Sequence, residues 1–271
     1  MTAPRPSAIS AWLQATRPRT LTAAVGAVAV GSALAHAERA HRWDVTLAAL
    51  GVATSLQIAS NLYNDYGDFV RGADAERIGP ARAAQSGWLS PTRVRLGAFV
   101  AVALAIACGL HIVARLGWPA LVAGVAAIVS AIAYTGGPAP LGYVGLGDAF
   151  VMLFFGVVAV NGTYAAHAGR LTTNSVVASL AVGALATAIL VVNNLRDRFG
   201  DTKVGKRTLV VRFGQAFGRG EYLALVVLAY AAPIGLAVLE RKAIWLLPLA
   251  SAPLAAARVR AIFTKDGPDL N

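Results

Sequence analysis

A single cysteine, Cys108, stands among 271 residues, and it falls inside an apolar stretch. No disulfide framework or thiolate metal site can be built on it, so its expected use is packing. Charge is scarce too: 14% of residues are charged against 57% hydrophobic, with a mean hydropathy of +0.61. That balance excludes a soluble domain of this length. The four histidines, His36, His41, His111 and His167, show no ligand spacing, and no chemistry is assigned to them. Residues 1–20, "MTAPRPSAISAWLQATRPRT", lack the pattern of a cleaved secretory leader. The part around Ile9, Trp12 and Leu13 is instead expected to lie along a membrane interface.

The apolar residues come in long blocks beginning near Leu21, Val45, Leu96, Trp118, Leu146, Ser175, Tyr222 and Ala243. Each is about 17 to 22 residues long, enough for a helix to cross a hydrocarbon core of roughly 30 Å. None alternates with period 2, which excludes barrel strands and leaves helices to satisfy the backbone. The expected fold is therefore an all-α polytopic membrane protein with eight transmembrane helices, one membrane-embedded domain over residues 1–271.

The basic balance, 24 Lys and Arg against 13 Asp and Glu, raises the possibility of a nucleic-acid partner, but its distribution excludes one. The N-terminal segment, the even-numbered loops and the C-terminus hold 18 of the 24 basic residues, and the odd-numbered loops hold 6. By the positive-inside rule, both termini and the even loops face the cytoplasm of a cell membrane.

Two of those loops resemble each other. The first follows "NLYNDYGDFVRGAD", with Asn61, Asp65 and Asp68; the second follows "NNLRDRFGDTKVGKRT", with Asn194, Asp197 and Asp201. Spacings of i, i+4, i+7 and i, i+3, i+7 put each trio on one helix face, spread over about 10 Å. Each lies at the cytoplasmic end of a crossing, the second and the sixth. The chain thus reads as two four-helix halves, about 10–135 and about 140–262, carrying equivalent acidic sites, with duplication the simplest cause.

A lone Asp at a helix end reads as a solvated loop charge, but grouped acids beside hydrocarbon point to function. Hard Asp and Asn oxygens suit Mg²⁺, which bridges to phosphate oxygens. Arg71, Arg77 and Arg82 follow the first trio, and Lys203, Lys206 and Arg207 the second, where they can grip phosphate directly. The pattern therefore fits a diphosphate held through metal by the acids and through its oxygens by the bases.

These stretches, "NDYGDFVRGADAERIGP" and "NNLRDRFGDTKVGKRTLVVRFG", resemble the two aspartate-rich motifs of the UbiA-type intramembrane prenyltransferases. The wording is nearest to the branch that prenylates 1,4-dihydroxy-2-naphthoate in menaquinone synthesis. "TRPRTL", "IGPARAAQSGWLSP" and "AYTGGPAPLGYVGLGDAFVMLFFGVVAVNGTY" fit that branch in order, so the resemblance runs from about Arg17 to Arg212. It implies Asn61, Asn64, Asp65 and Asp68 in the first motif; the third acid of its NDxxDxxxD pattern falls on Gly72, with Asp74 the nearest carboxylate. It also implies nine membrane helices, and the chain reaches "DGPDLN" about where the ninth would begin. The reaction implied is Mg²⁺-dependent transfer of a polyprenyl group from polyprenyl diphosphate to 1,4-dihydroxy-2-naphthoate, with loss of CO₂, giving demethylmenaquinol. The prenyl tail extends into the lipid bilayer.

The fourth-to-fifth loop has no Lys or Arg, and its Gly/Pro text predicts a close-packed turn near the site. Tyr134, Tyr143 and Asp148 are candidates to stack on or hydrogen-bond an aromatic substrate; interfacial anchoring for the tyrosines and helix capping for Asp148 stand beside that reading. Arg19 reaches either the substrate anion or serves as an ordinary cytoplasmic arginine. Asn161 and Thr163, polar within an apolar block, are explained equally by interhelical hydrogen bonds and substrate contact. A transporter would place its acids at the bilayer midplane, and the DGxxAR run of CDP-alcohol phosphotransferases is absent. A prenyltransferase for another acceptor, 4-hydroxybenzoate or a glycerol phosphate, is the remaining rival.

Overall fold

A computed structural model describes residues 6–73 and 79–270. Asp74 and Arg77 lie outside the described residues. Among those described there is no strand; nine helices run α1 Ala8–Thr16, α2 Pro18–Ala37, α3 Trp43–Val70, α4 Pro91–Leu116, α5 Trp118–Ala133, α6 Gly147–Ala168, α7 Thr173–Lys203, α8 Leu209–Glu240 and α9 Ala243–Thr264, followed by a short 3₁₀ helix Gly267–Leu270.

Seven of these, α2, α3, α4, α6, α7, α8 and α9, are long and apolar enough to cross a membrane, so the chain is a multi-pass membrane protein. Of the eight expected crossings seven reach full length, and the block from Trp118 forms the shorter apolar helix α5. Its 16 residues span about 24 Å, short of a full hydrocarbon core. Gly117, with φ of 70°, turns the chain directly from α4 into α5, and the Gly/Pro run from Gly136 ends the helix early. The seventh expected crossing starts much sooner than the hydropathy predicts, at Leu209 rather than near Tyr222, and is broken once at Gly214, where φ is 87°.

Helix α1 is capped by the Ser7 hydroxyl, which accepts the Ser10 N–H. Its Ala11 and Ala15 are buried while Ile9 and Leu13 stay exposed, the amphipathic split expected of an interfacial segment. Trp12 packs against Gly97 of α4. Helices α3 and α4 form one long pair and α7 and α8 another; α2 packs across α3, α6 and α7, and α5 packs on α3 and α4. Cys108 packs against Gly51 of α3.

The far end of the bundle gives the histidines a structural use. Arg42 N–H donates to His167 Nδ1 at 3.1 Å, which leaves the ring proton on Nε2, 3.2 Å from Ser32 Oγ. The His41 ring stacks on His167 with centroids 5.1 Å apart. Tyr164 donates to Glu38 at 2.6 Å, and Arg170 pairs with the same oxygen at 3.0 Å. That end is a polar latch between the α2–α3 turn and α6.

Candidate active site

At the other end, the last three turns of α3 and of α7 open on one cavity of about 1490 Å³. Its mouth carries Asn61, Asn64 and Asp68 from α3 and Asn194, Asp197 and Asp201 from α7, together with Lys206, Arg82, Arg19, Tyr134 and Tyr143. Deeper walls are apolar, among them Val28, Val52, Leu116, Phe154 and Leu180. A polar mouth over an apolar shaft suits a ligand with an ionic head and a hydrocarbon tail.

Asp68 is 1% exposed and is satisfied from three directions. Arg82 reaches its Oδ2 at 2.8 Å, the Tyr143 hydroxyl donates to Oδ1 at 3.0 Å, and Lys206 Nζ lies 3.4 Å from Oδ1. Lys206 is also 3.7 Å from Asp201 Oδ1, so one ammonium reaches both acidic helix ends. Asp197 is held by its chain neighbour, the buried Arg196, through two contacts of 2.7 Å. Burial and the Asp68 carboxylate push the Tyr143 phenol above its ordinary range, which keeps it protonated and donating. Burial likewise raises Tyr134.

The Tyr134–Leu146 loop is pinned from both sides. From the first motif, the Arg71 guanidinium donates to Thr135 O at 3.1 Å and to Gly137 O, and it sits 5.3 Å above the Tyr143 ring. From the second, Arg207 N–H donates to Tyr143 O at 2.8 Å, and Arg212 donates to Val144 O at 2.8 Å. Thr135 also donates to Asn64 Oδ1 at 3.1 Å. Two glycines permit this fit: a Cβ on Gly67 would meet Thr135 Oγ1 at 2.7 Å, and one on Gly145 would meet Arg207 O at 2.7 Å.

Not every expected site residue reaches the wall. Asp65, 1% exposed, accepts Ala83 N–H at 2.9 Å and Ala84 N–H at 3.3 Å. It fastens the 79–90 loop onto the core formed by α1, α3 and α4, where Ala83, Ala84 and Leu89 are buried. Asn61 lines the cavity, but its amide donates to Thr16 O and Thr20 Oγ1 while its own oxygen accepts from Gln57. Asp148, expected near the aromatic substrate, is not among the residues that line the cavity. It lies in the first turn of α6, buried and off the wall, one residue beyond Gly147, against which the Tyr134 hydroxyl packs. A position in a helix's first turn is favourable for a carboxylate on dipole grounds alone. Arg71, Lys203 and Arg207 are off the wall as well; Arg71 and Arg207 act through the loop they hold.

Residues that the motifs did not single out join the mouth. Arg17 lines it from the junction of α1 and α2 in a left-handed conformation, φ 52°, and Gln14, Asn193, Arg196 and Thr208 line it too. Positive φ on a residue other than glycine is a signal available only from coordinates.

Among the described residues no three His, Cys, Asp or Glu side chains converge closely enough to hold a metal ion between them. The donor chemistry nonetheless fits Mg²⁺: hard carboxylate and amide oxygens from two helix ends, close enough for one ammonium to touch both.

The sequence profile of the UbiA prenyltransferase family matches residues 24–270. The chain belongs to the UbiA prenyltransferase family. Within that family it is 41% identical over 236 residues to the 1,4-dihydroxy-2-naphthoate octaprenyltransferase of Escherichia coli (strain K12), covering 84% of this chain and 76% of that one. It is 41% identical over 219 residues to the enzyme of the same name from Mycobacterium tuberculosis, covering 80% and 75%. In fold it is similar to a UbiA homolog from Archaeoglobus fulgidus solved with DMAPP and Mg²⁺, with a TM-score of 0.67 at 17% identity, covering 93% of this chain and 85% of that one. UbiA-family membership makes it a prenyltransferase, and the cavity between the two aspartate-bearing helix ends is its candidate site.

Proposed function

We propose that this UbiA-family enzyme transfers a polyprenyl group from polyprenyl diphosphate to 1,4-dihydroxy-2-naphthoate, releasing diphosphate and CO₂ and forming demethylmenaquinol. The single observation that carries the reading is about 40% identity, over most of the chain, to several enzymes with that acceptor. The cavity supports it, because its polar mouth and apolar shaft match an ionic head and an isoprenoid tail.

Asp68, Asp197 and Asp201, with Asn194, would hold Mg²⁺. Bound Mg²⁺ would neutralise the departing diphosphate. Lys206, Arg82 and Arg19 add donors at the same mouth, where charge develops on the leaving group. As the bond from C1 to the diphosphate oxygen breaks, a ring carbon of the naphthoate bonds to C1, and the carboxyl group leaves as CO₂. Tyr134 and Tyr143 line the mouth, where they would meet the aromatic acceptor. Arg71, Arg207 and Arg212 hold these tyrosines in place through the loop backbone, and Asp65 does the same for the loop that carries Arg82.

The test is incubation of the purified chain in lipid with Mg²⁺, a polyprenyl diphosphate and a panel of acceptors. A prenylated naphthoquinol identified by mass is the expected product. Exclusive prenylation of 4-hydroxybenzoate or of a glycerol phosphate would reject the acceptor and leave the family standing.

Both aspartate clusters, on the positive-inside count, face the cytoplasm, with the two four-helix halves meeting at the cavity. Cysteines placed at Arg71 and Lys203, both exposed, should react with an impermeant thiol reagent from the cytoplasmic side alone. Labelling of the two from opposite sides would sink the shared-mouth arrangement.

A further inference from the structure

One side chain joins the acids of the two helix ends. Lys206 Nζ lies 3.4 Å from Asp68 Oδ1, 3.7 Å from Asp201 Oδ1 and 4.9 Å from the Tyr143 ring centroid. Its side chain is only 16% exposed, and its backbone N–H donates to Asp201 O at 2.9 Å in the turn that follows α7. The ammonium is thus tethered to the mouth from within the second motif. Asp68 keeps a second partner, Arg82 at Oδ2, so it does not depend on Lys206 for its burial.

A cation placed there relieves the repulsion between the two helix ends, which is also what a bound metal ion does. A metal ion arriving alone must approach acids already screened by an ammonium, and the two cations repel at this range. A diphosphate changes the balance because it offers the ammonium anionic oxygens a short distance away.

We propose that Lys206 is a positioning residue that occupies the Asp68–Asp201 pair as an internal counterion, and that it passes to phosphate oxygens when diphosphate arrives, opening the acids to metal. The inference rests on the metal–diphosphate reading above and adds an order to it: the free enzyme binds divalent metal weakly, and diphosphate strengthens that binding. A purely structural lysine would give the opposite result on removal, a loss of metal affinity through disorder of the mouth.

The experiment measures Mn²⁺ bound to the full chain in detergent by equilibrium dialysis, with and without inorganic diphosphate. Wild type should bind Mn²⁺ weakly alone and more tightly with diphosphate. Lys206→Met should bind Mn²⁺ alone about tenfold more tightly than wild type, since a unit charge within 4 Å of the ligands is gone, and diphosphate should enhance its binding less. Lys206→Arg should keep the wild-type order, and Lys206→Gln serves where the Met variant does not fold. If both neutral variants bind Mn²⁺ alone no better than wild type, while wild type still responds to diphosphate, the counterion role is overturned and the metal–diphosphate reading stands. If wild type binds no Mn²⁺ even with diphosphate, both fall.

Discussion

Asp201→Asn should lower turnover by about 10³-fold while leaving the melting temperature close to wild type; Asp68→Asn should lose as much turnover but also melt earlier, because it removes the charge that pairs with the buried Arg82. Both side chains line the cavity mouth, and the amide keeps the volume and the hydrogen-bonding oxygen while discarding the charge that a metal–diphosphate needs. Asp65→Ala should behave differently. Its two oxygens accept from Ala83 and Ala84, and losing them strands two buried amides, a cost of about 1–3 kcal/mol each before any activity is considered. The melting temperature should therefore fall for Asp65→Ala and not for Asp201→Asn. Near-normal turnover of Asp201→Asn at low Mg²⁺ would remove that residue from the site.

The loop that carries both tyrosines should also be sensitive at a position that does not line the cavity. Gly67 faces Thr135 so closely that the first side-chain carbon of alanine would stand 2.7 Å from its hydroxyl oxygen. Gly67→Ala must push Thr135 away, and with it the Arg71 contact to Thr135 O and the Asn64 bond to its hydroxyl. Displacing a positioned aromatic wall by even about 1 Å can cost roughly 10²-fold in rate. The loss should appear chiefly in the KM for the aromatic acceptor and in turnover, while affinity for polyprenyl diphosphate changes little. Equal losses for both substrates would show that the loop does not bound the acceptor pocket.

Much of the fold was legible because membrane crossings are written in hydropathy, and seven of the eight expected blocks became full-length helices. What hydropathy hides is helix that continues past the apolar stretch. Gln215 to Glu221 contains Arg219 and Glu221 and is too polar to be read as a crossing, yet after the break at Gly214 it is continuous with the apolar part of α8. The pairing of the two motifs followed from helical spacing, and the coordinates place Asn61, Asp68, Asn194, Asp197 and Asp201 on one cavity. Spacing identifies a face, but not what the face meets. Asp65 shares the face of Asp68 and meets the backbone of a folded-back loop instead, a contact 18 residues distant that no periodicity encodes. Asp148 and Tyr134 illustrate the same limit: their text lies in one loop, and packing against Gly147 brings only the tyrosine to the wall. Arg17 was illegible for a third reason, since its role depends on a left-handed backbone at the α1–α2 junction.

The measurement closest to the central claim follows the carboxyl carbon of the acceptor. With 1,4-dihydroxy-2-naphthoate labelled in its carboxyl group, Mg²⁺ and a polyprenyl diphosphate, the account predicts labelled CO₂ released in step with prenylated naphthoquinol, one for one, and no release when the diphosphate is omitted. Prenylated lipid that retains the labelled carboxyl group, or no product from the naphthoate at all, would contradict it.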